Sequence, residues 1–451
     1  MKSSERPTGS PDPVYSGPLG LFPVPYSLGI FNFHWFSFYN SVCFQIIGGA
    51  PIVLLAKDLG ASSTVLGVMA SFMPLMTMLQ LPAARHLGNH SYRSFALMGW
   101  SLRSVFIATS AVVPLLLFIS KELRLVILVG GLFFFYLLRG ISAAAFLPWV
   151  ANIVSGETRG RFIAIDHSFM HAGAFLTMLL SALLLSGRVE PWRYSLVLFV
   201  SLSAAMVSLY YMRRIPDGRH SVETAISSEP VLLRTMIARK PFRNSILFSL
   251  LFATVAGGLG VFPVEYLSVQ ARFSPALINA LTSATFLAPL LVLQMLGHRV
   301  DRFGSLPTIR NSILLFTVVL GVWFAMSAGA VNPSWELVLV LNFLGGMALA
   351  AFNMANLHLA MAVVPECGKN HYFAVTTVIT GFAMGVVPVL WGWLLDSLGG
   401  LDLHGGSLHL TRHSIYFLGV TVLCAVSLMF SRILVEPSPA ARVRELKNWG
   451  A

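Results

Sequence analysis

The chain has 451 residues, of which 56% are hydrophobic and 11% charged, and it carries a formal net charge of +12. A water-soluble protein of this composition would have too little polar surface to present to solvent, which excludes a soluble enzyme and indicates an integral membrane protein. The basic residues sit in short connectors between apolar runs rather than on one polar helical face, which excludes nucleic acid as a partner.

Residues 1–26 are rich in Pro, Gly and Ser, lack the basic-then-apolar layout of a signal peptide, and read as a flexible tail. Twelve apolar runs follow, each near the ~20 residues that a spanning helix needs: 27–55, 62–84, 94–118, 125–151, 162–186, 193–212, 244–268, 275–297, 308–330, 335–364, 372–396 and 413–433. Pro51, Pro74, Pro289 and Pro388 fall inside them, as prolines do in spanning helices whose neighbours satisfy the freed backbone groups. The longest connector, 213–243, divides the chain into an N-terminal bundle (27–212) and a C-terminal bundle (244–433) of six helices each, followed by a tail, 434–451. Within that connector, 230–242 fits either a basic amphipathic helix on the membrane surface or a solvated linker.

Lys and Arg set the expected orientation. With the N-terminus inside, Arg85, Arg93, Arg159, Arg161, the 213–243 linker, Arg299, Arg302, Arg310 and the basic C-terminal tail all fall on the cytoplasmic side. Both termini are then cytoplasmic, in a plasma or inner cell membrane. Cys43, Cys367 and Cys424 are far apart, so neither a disulfide framework nor a metal site is indicated. No His-Glu-x-x-His pair and no phosphate-cradling Gly loop occur, so the chemistry of a membrane protease or an ATP-driven pump is missing. No enzymatic activity and no cofactor are expected.

An internal repeat supports the two halves. Phe72, Pro74 and Gln80 recur as Phe286, Pro289 and Gln294, with the same Phe-to-Gln spacing. Gly48-Gly49 with Pro51 recurs as Gly257-Gly258 with Pro263, and Ala145-Phe146 before Glu157 as Ala351-Phe352 before Glu366. Between the eighth and ninth runs stands Gly297-His298-Arg299-Val300-Asp301-Arg302-Phe303-Gly304. This Gly-x-x-x-Asp-Arg-x-Gly pattern resembles the cytoplasmic signature loop of the major facilitator superfamily of secondary transporters. Ser305 stands where that family usually has a basic residue. Arg139-Gly140, Pro148 and Arg159-Gly160-Arg161 are similar to that family's fourth helix and following loop. The resemblance implies an all-α polytopic protein with 12 transmembrane helices in two six-helix halves, which moves a solute by rocking the halves about a central site. It also implies a cytoplasmic latch in which Asp301 meets the start of helix 5 near Gly160, beside Arg159 and Arg161, while Glu157 pairs with Arg302. The first-half counterpart has Leu87 in the acidic position, so the latch is expected on one side only.

Arg139 falls near the bilayer midplane, where a cation costs roughly 2.5–3.5 kcal/mol on insertion scales. Two readings stay open: it meets an anionic solute group or a protonation site, or it bonds polar groups around Asn40 and Gln45 and ties helices 1 and 4 together. Asn40, Gln45, Asn353 and Asn356 are likewise either cavity-lining groups or interhelical glue. His167 and His171, one turn apart, share a helix face with each other, and with Asp166 they are the candidates for proton coupling; His171 is also a cavity candidate. The expected partners are a small solute, a coupling proton and the lipid bilayer, with the protein a monomer. Two further readings are a flippase or exporter for lipids or amphipathic drugs, and a non-transporting receptor that keeps the fold.

Overall fold

The computed structural model describes residues 28–84, 86–87, 91–154, 159–217, 233–364, 369–405 and 408–436. The first half comprises α1 (Leu28–Gly48), α2 (Ala50–Asp58), α3 (Ser63–Thr77), α4 (Gln80–Ala84), α5 (Tyr92–Val112), α6 (Lys121–Ser142), α7 (Phe146–Ile153), α8 (Arg159–Leu184) and α9 (Pro191–Arg213). After the short α10 (Leu233–Ala238), the second half comprises α11 (Lys240–Ala256), α12 (Phe262–Val269), α13 (Pro275–Phe303), α14 (Ser305–Ser327), α15 (Trp335–Val363), α16 (Lys369–Ser397) and α17 (Arg412–Phe430). A small antiparallel hairpin, β1 (Asp402–Gly405) and β2 (Leu408–Thr411), precedes α17 and pairs His404 with His409. Among the described residues, ten helical segments are long and apolar enough to cross a membrane. Of the other two expected spans, the seventh is broken into α11 and α12, and the described apolar part of the eighth, Pro275–Leu291, is shorter. The chain is an all-α polytopic membrane protein.

These segments are helical because lipid offers the backbone no partner, so every N–H and C=O must be satisfied within the segment. Large apolar side chains such as Val126, Leu183, Val318 and Met429 remain exposed, as a lipid-facing surface requires. A side chain caps four of the spans that start at the end carrying the hairpin: Ser62 accepts from the Val65 N–H, Ser120 from Leu123, Ser334 from Leu337 and Thr411 from Ser414.

Both halves open on a broken helix. Gly49, in extended conformation, separates α1 from α2, and residues 257–261 separate α11 from α12, with Gly258 at φ +92°. Pro51 and Pro263 each occupy the first turn after the break, where a missing N–H is harmless. The repeat of Gly-Gly and Pro seen in the sequence is therefore a repeat of local structure.

One expectation is corrected. The connector expected between 297 and 308 is almost wholly helical: α13 runs to Phe303, and Gly304 alone, at φ +81°, turns the chain into α14. Only a residue without Cβ takes that conformation freely, and a Cβ there would also stand 3.0 Å from Glu436 Oε2. Of the 230–242 stretch, the described residues are helical in α10 (Leu233–Ala238) and in α11 from Lys240, with Arg239 between them; 218–232 lie outside the described residues, as do the tails 1–26 and 437–451.

The halves meet along two seams, α3 against α16 and α8 against α13. The end of the bundle that bears the 213–243 connector is called the linker end below, and the end that bears β1–β2 the hairpin end.

Candidate functional site

The α3–α16 seam is built from glycines. A Cβ at Gly67 would lie 2.2 Å from Pro388 O, one at Gly392 2.3 Å from Ser63 O, and one at Gly385 2.3 Å from Leu75 Cγ. Small residues at these positions let two membrane helices from opposite halves touch backbone to backbone.

Around the helix breaks at Gly49 and 257–261, and along α3 from Leu66 to Thr77, the halves enclose a cavity of about 430 Å³. Its walls come from both halves, chiefly α1, α3 and α6 on one side and α11 with α16 on the other. The lining is apolar, with Phe44, Met69, Met73 and Met384 prominent. Its side-chain polar groups are Thr77, Tyr136, Thr377 and Thr380. Each threonine donates its hydroxyl to its own helix, Thr77 to Met73 O (2.8 Å), Thr377 to Phe373 O (2.9 Å) and Thr380 to Thr376 O (2.7 Å), so what they offer the cavity is acceptor lone pairs. The Tyr136 hydroxyl has no hydrogen-bond partner among the described residues and remains a donor.

None of Asn40, Gln45, Arg139, His171, Asn353 or Asn356 lines this cavity. The Arg139 guanidinium carbon lies 4.7 Å over the ring of Phe44, which is a wall residue. Asn40 belongs to a different group. Its Oδ1 accepts from Arg103 Nη2 at 2.5 Å and from Trp100 Nε1 at 3.2 Å, while the Arg103 guanidinium stacks on Trp100 (4.6 Å) and Phe135 (5.2 Å). Arg103, 1% exposed, thus performs the helix-tying role that the sequence suggested for Arg139. Sequence reading passed over Arg103, although an Arg within an apolar run, three residues after a Trp, was visible. On α15, Asn353 is exposed, and Asn356 keeps a buried Oδ1 without a partner.

The titratable candidates on α8 separate. Asp166 Oδ1 lies 3.2 Å from His34 Nδ1, in a buried pair joining α8 to α1, and the His34 ring stacks between Phe162 and Phe169. His167 and His171 face each other with ring centroids 6.4 Å apart. The partner of Asp166 is therefore His34 and not the histidine pair.

The hairpin end carries the densest polar contact between halves. Glu265 of α12, fully buried, receives three donors on one oxygen: Ser63 Oγ at 2.7 Å, Lys57 Nζ at 3.1 Å and Arg412 Nη2 at 3.4 Å. Lys57 and Ser63 belong to the first half, Arg412 to the second. Beside it, Asp396 at the end of α16 accepts the N–H groups of Ser63 (2.9 Å) and Thr64 (2.7 Å), the unpaired donors that begin α3. Two carboxylates, Glu265 buried and Asp396 half-buried, thus tie the halves together at this end, and among the described residues the inter-half hydrogen bonds gather here.

At the linker end, matching contacts tie each half to itself. Asp217, after α9, accepts from Ser91 Oγ and from the Arg93 N–H (2.9 Å) at the start of α5. Glu436, after α17, accepts from the Ser305 N–H (2.8 Å) and hydroxyl (2.9 Å) at the start of α14, with His358 3.7 Å away. These carboxylates stand at equivalent places in the repeat. Ser305 is thereby occupied at the position where the signature loop usually has a basic residue. Leu87 packs with Trp100, Trp149 and Phe162 in the apolar core of its own half. The expected single-sided latch lies outside the described residues: Glu157 itself, and the side chains of Arg159, Arg161, Asp301 and Arg302.

A sequence profile described as the Major Facilitator Superfamily matches residues 33–267 and again 247–450. Among solved structures, the chain resembles a D-xylose–proton symporter (TM-score 0.71, 12% identity, covering 90% of this chain and 97% of the symporter). It likewise resembles a point mutant of the nucleoside transporter NupG (TM-score 0.68, 12% identity, 90% and 100% covered). A third similarity is to a bacterial homologue of the iron transporter ferroportin in its inward-facing state (TM-score 0.66, 14% identity, 90% and 98% covered). At such identities the likeness is one of fold. No curated protein sequence matches the chain.

Proposed function

The chain belongs to the major facilitator superfamily, and from that premise we propose that it is a secondary transporter carrying a small organic solute across the membrane by alternating access. The observation that carries the reading is the cavity of about 430 Å³ walled by both halves, with the inter-half bonds of Glu265 and Asp396 at its hairpin end. A cavity shared between two rocking bodies is exposed to one side or the other according to which end is closed.

The linker end is assigned to the cytoplasm because it collects the basic connectors. The hairpin end is then external, and the conformation is closed to the outside. A reporter fused after residue 225 is expected to be cytoplasmic, and one placed within 398–411 external. The reverse labelling of either would overturn the orientation.

Lys57 and Ser63 reach Glu265 across the halves only while the outer end is shut, whereas Arg412 lies in the same half as Glu265, so the cross-half bonds contribute to one state and not to the other. The test is a single cysteine at Thr377, an exposed wall residue, in a chain whose Cys43, Cys367 and Cys424 are replaced by alanine. A membrane-impermeant maleimide should reach Thr377→Cys from either face of oriented vesicles, each access competing with the other. Labelling from one face alone, under every condition that leaves the protein folded, would favour the non-transporting receptor and refute alternating access.

A further inference from the structure

The first half holds two cations inside its helices, and the described residues supply no carboxylate for either. Arg103 has one hydrogen bond, to the neutral Asn40, and its Nε and Nη1 are buried without partners. Arg139 has no hydrogen-bond or ion-pair partner among the described residues, and its Nε is buried. The described acids in and around the bundle core are committed elsewhere: Asp166 to His34, Glu265 to Lys57, Ser63 and Arg412, and Asp396 to the start of α3. A guanidinium stacked on aromatic rings is only partly compensated, because a ring face offers a quadrupole and not a charge.

The position of Arg139 relates this charge to the cavity. Its guanidinium covers Phe44, whose ring lines the cavity and meets the wall residue Tyr136 edge-on at 6.1 Å. Tyr136 is three residues before Arg139 on α6, on the same side of the helix. The next residue, Gly140, packs against the Met76 backbone, which sets Arg139 level with the wall residue Thr77. A planar five-donor cation thus stands behind the Phe44 wall, outside the lining itself and beside the wall phenol Tyr136, so that a turn of the Phe44 ring would bring both to a solute in a largely apolar space.

We propose that the transported solute is an organic monoanion with a large apolar body, its carboxylate or sulfonate held by Arg139 and the Tyr136 hydroxyl. The body lies among Phe44, Met69, Met73 and Met384, where polarizable thioethers adapt to differing shapes. Arg103, deeper in the same half, adds to the positive potential without touching the solute. This assignment rests on the transporter reading and names the class of solute for the same site. A neutral polar solute such as a sugar is disfavoured because the lining is largely apolar and offers few side-chain partners for many hydroxyl groups.

Matched probes test the charge apart from the apolar body: naphthalene-2-carboxylate, 4-phenylbutyrate and biphenyl-4-carboxylate, each against its own carboxamide. Binding is measured calorimetrically to the protein in neutral-lipid nanodiscs, where the carboxamide corrects for partition into lipid. At least one carboxylate is expected to bind roughly 10- to 100-fold more tightly than its amide, the range set by charge-assisted hydrogen bonds. Arg139→Gln should reduce that preference to about 2-fold or less, whereas Arg139→Lys should keep part of it, because an ammonium preserves charge but not the planar fork. Equal binding of acids and amides, no saturable binding by any of the acids, or an undiminished preference in folded Arg139→Gln each overturns the proposal. The wild-type preference decides by itself if Arg139→Gln fails to fold. The labelling of Thr377→Cys is read independently, so a transporter of neutral solutes and a protein that does not transport give different results.

Discussion

Glu265→Gln is expected to open the external end of the cavity. The substitution keeps the shape of a fully buried side chain and removes the charge that gathers Lys57, Ser63 and Arg412 on one oxygen. In the closed state Lys57 and Arg412, whose side chains are 19% and 22% exposed, would then face a neutral amide in place of a buried carboxylate, which is unfavourable. In the open state Lys57 is parted from residue 265 and loses nothing, while Arg412 shares the half of residue 265 in both states. Hydrogen bonds to charged groups contribute about 1.5–3 kcal/mol, and the part made across the halves by Lys57 and Ser63 belongs to the closed state alone, so its loss shifts the population toward the open state by roughly 10- to 100-fold. A cysteine at the wall residue Ala256 reports this as a rise in its rate of labelling from outside by an impermeant maleimide. Lys57→Met should give a smaller rise, since Ser63 and Arg412 still reach the carboxylate. An external labelling rate unchanged in Glu265→Gln would remove the outer closure from the proposed cycle.

Gly392→Leu is expected to prevent that closure by a steric route. A Cβ at 392 would lie 2.3 Å from Ser63 O and 2.9 Å from Thr64 Cα, and backbone atoms of a capped helix start cannot yield as a flexible side chain does. The outer ends of α3 and α16 must separate, and the caps from Asp396, one turn further along α16, break with them. Overpacking costs about 1–3 kcal/mol and occasionally more, here against the outward-closed state alone. Solute flux into proteoliposomes should fall by roughly 5- to 150-fold, while folded yield holds, because neither half's own core is touched. Gly130→Ala is the control, since a Cβ there meets nothing within 4 Å. A Gly392→Leu protein with normal flux would show that the tight seam is dispensable for the cycle. An aggregated one would make the seam a folding interface.

The sequence by itself determined that the chain is a polytopic membrane protein, that it consists of two related halves, and which family signature joins its eighth and ninth helices. Each of these is written in contiguous residues: an apolar run must satisfy its own backbone, and a Gly-Gly break followed by Pro acts locally wherever it recurs. The facing of the helices was not written there. A spanning helix that is apolar on nearly every side has no amphipathic face to declare which residues turn inward, so its rotation is decided by the neighbours it packs against. That is why Asn40 proved to be bonded to Arg103 rather than Arg139, and why Asp166 pairs with His34, 132 positions away, rather than with the adjacent histidines. It is also why the buried Glu265, 208 positions from Lys57, emerged as an inter-half contact only once the halves were assembled. Close approach between α3 and α16 needs glycines facing one another across the seam, and the sequence records the glycines but not the facing.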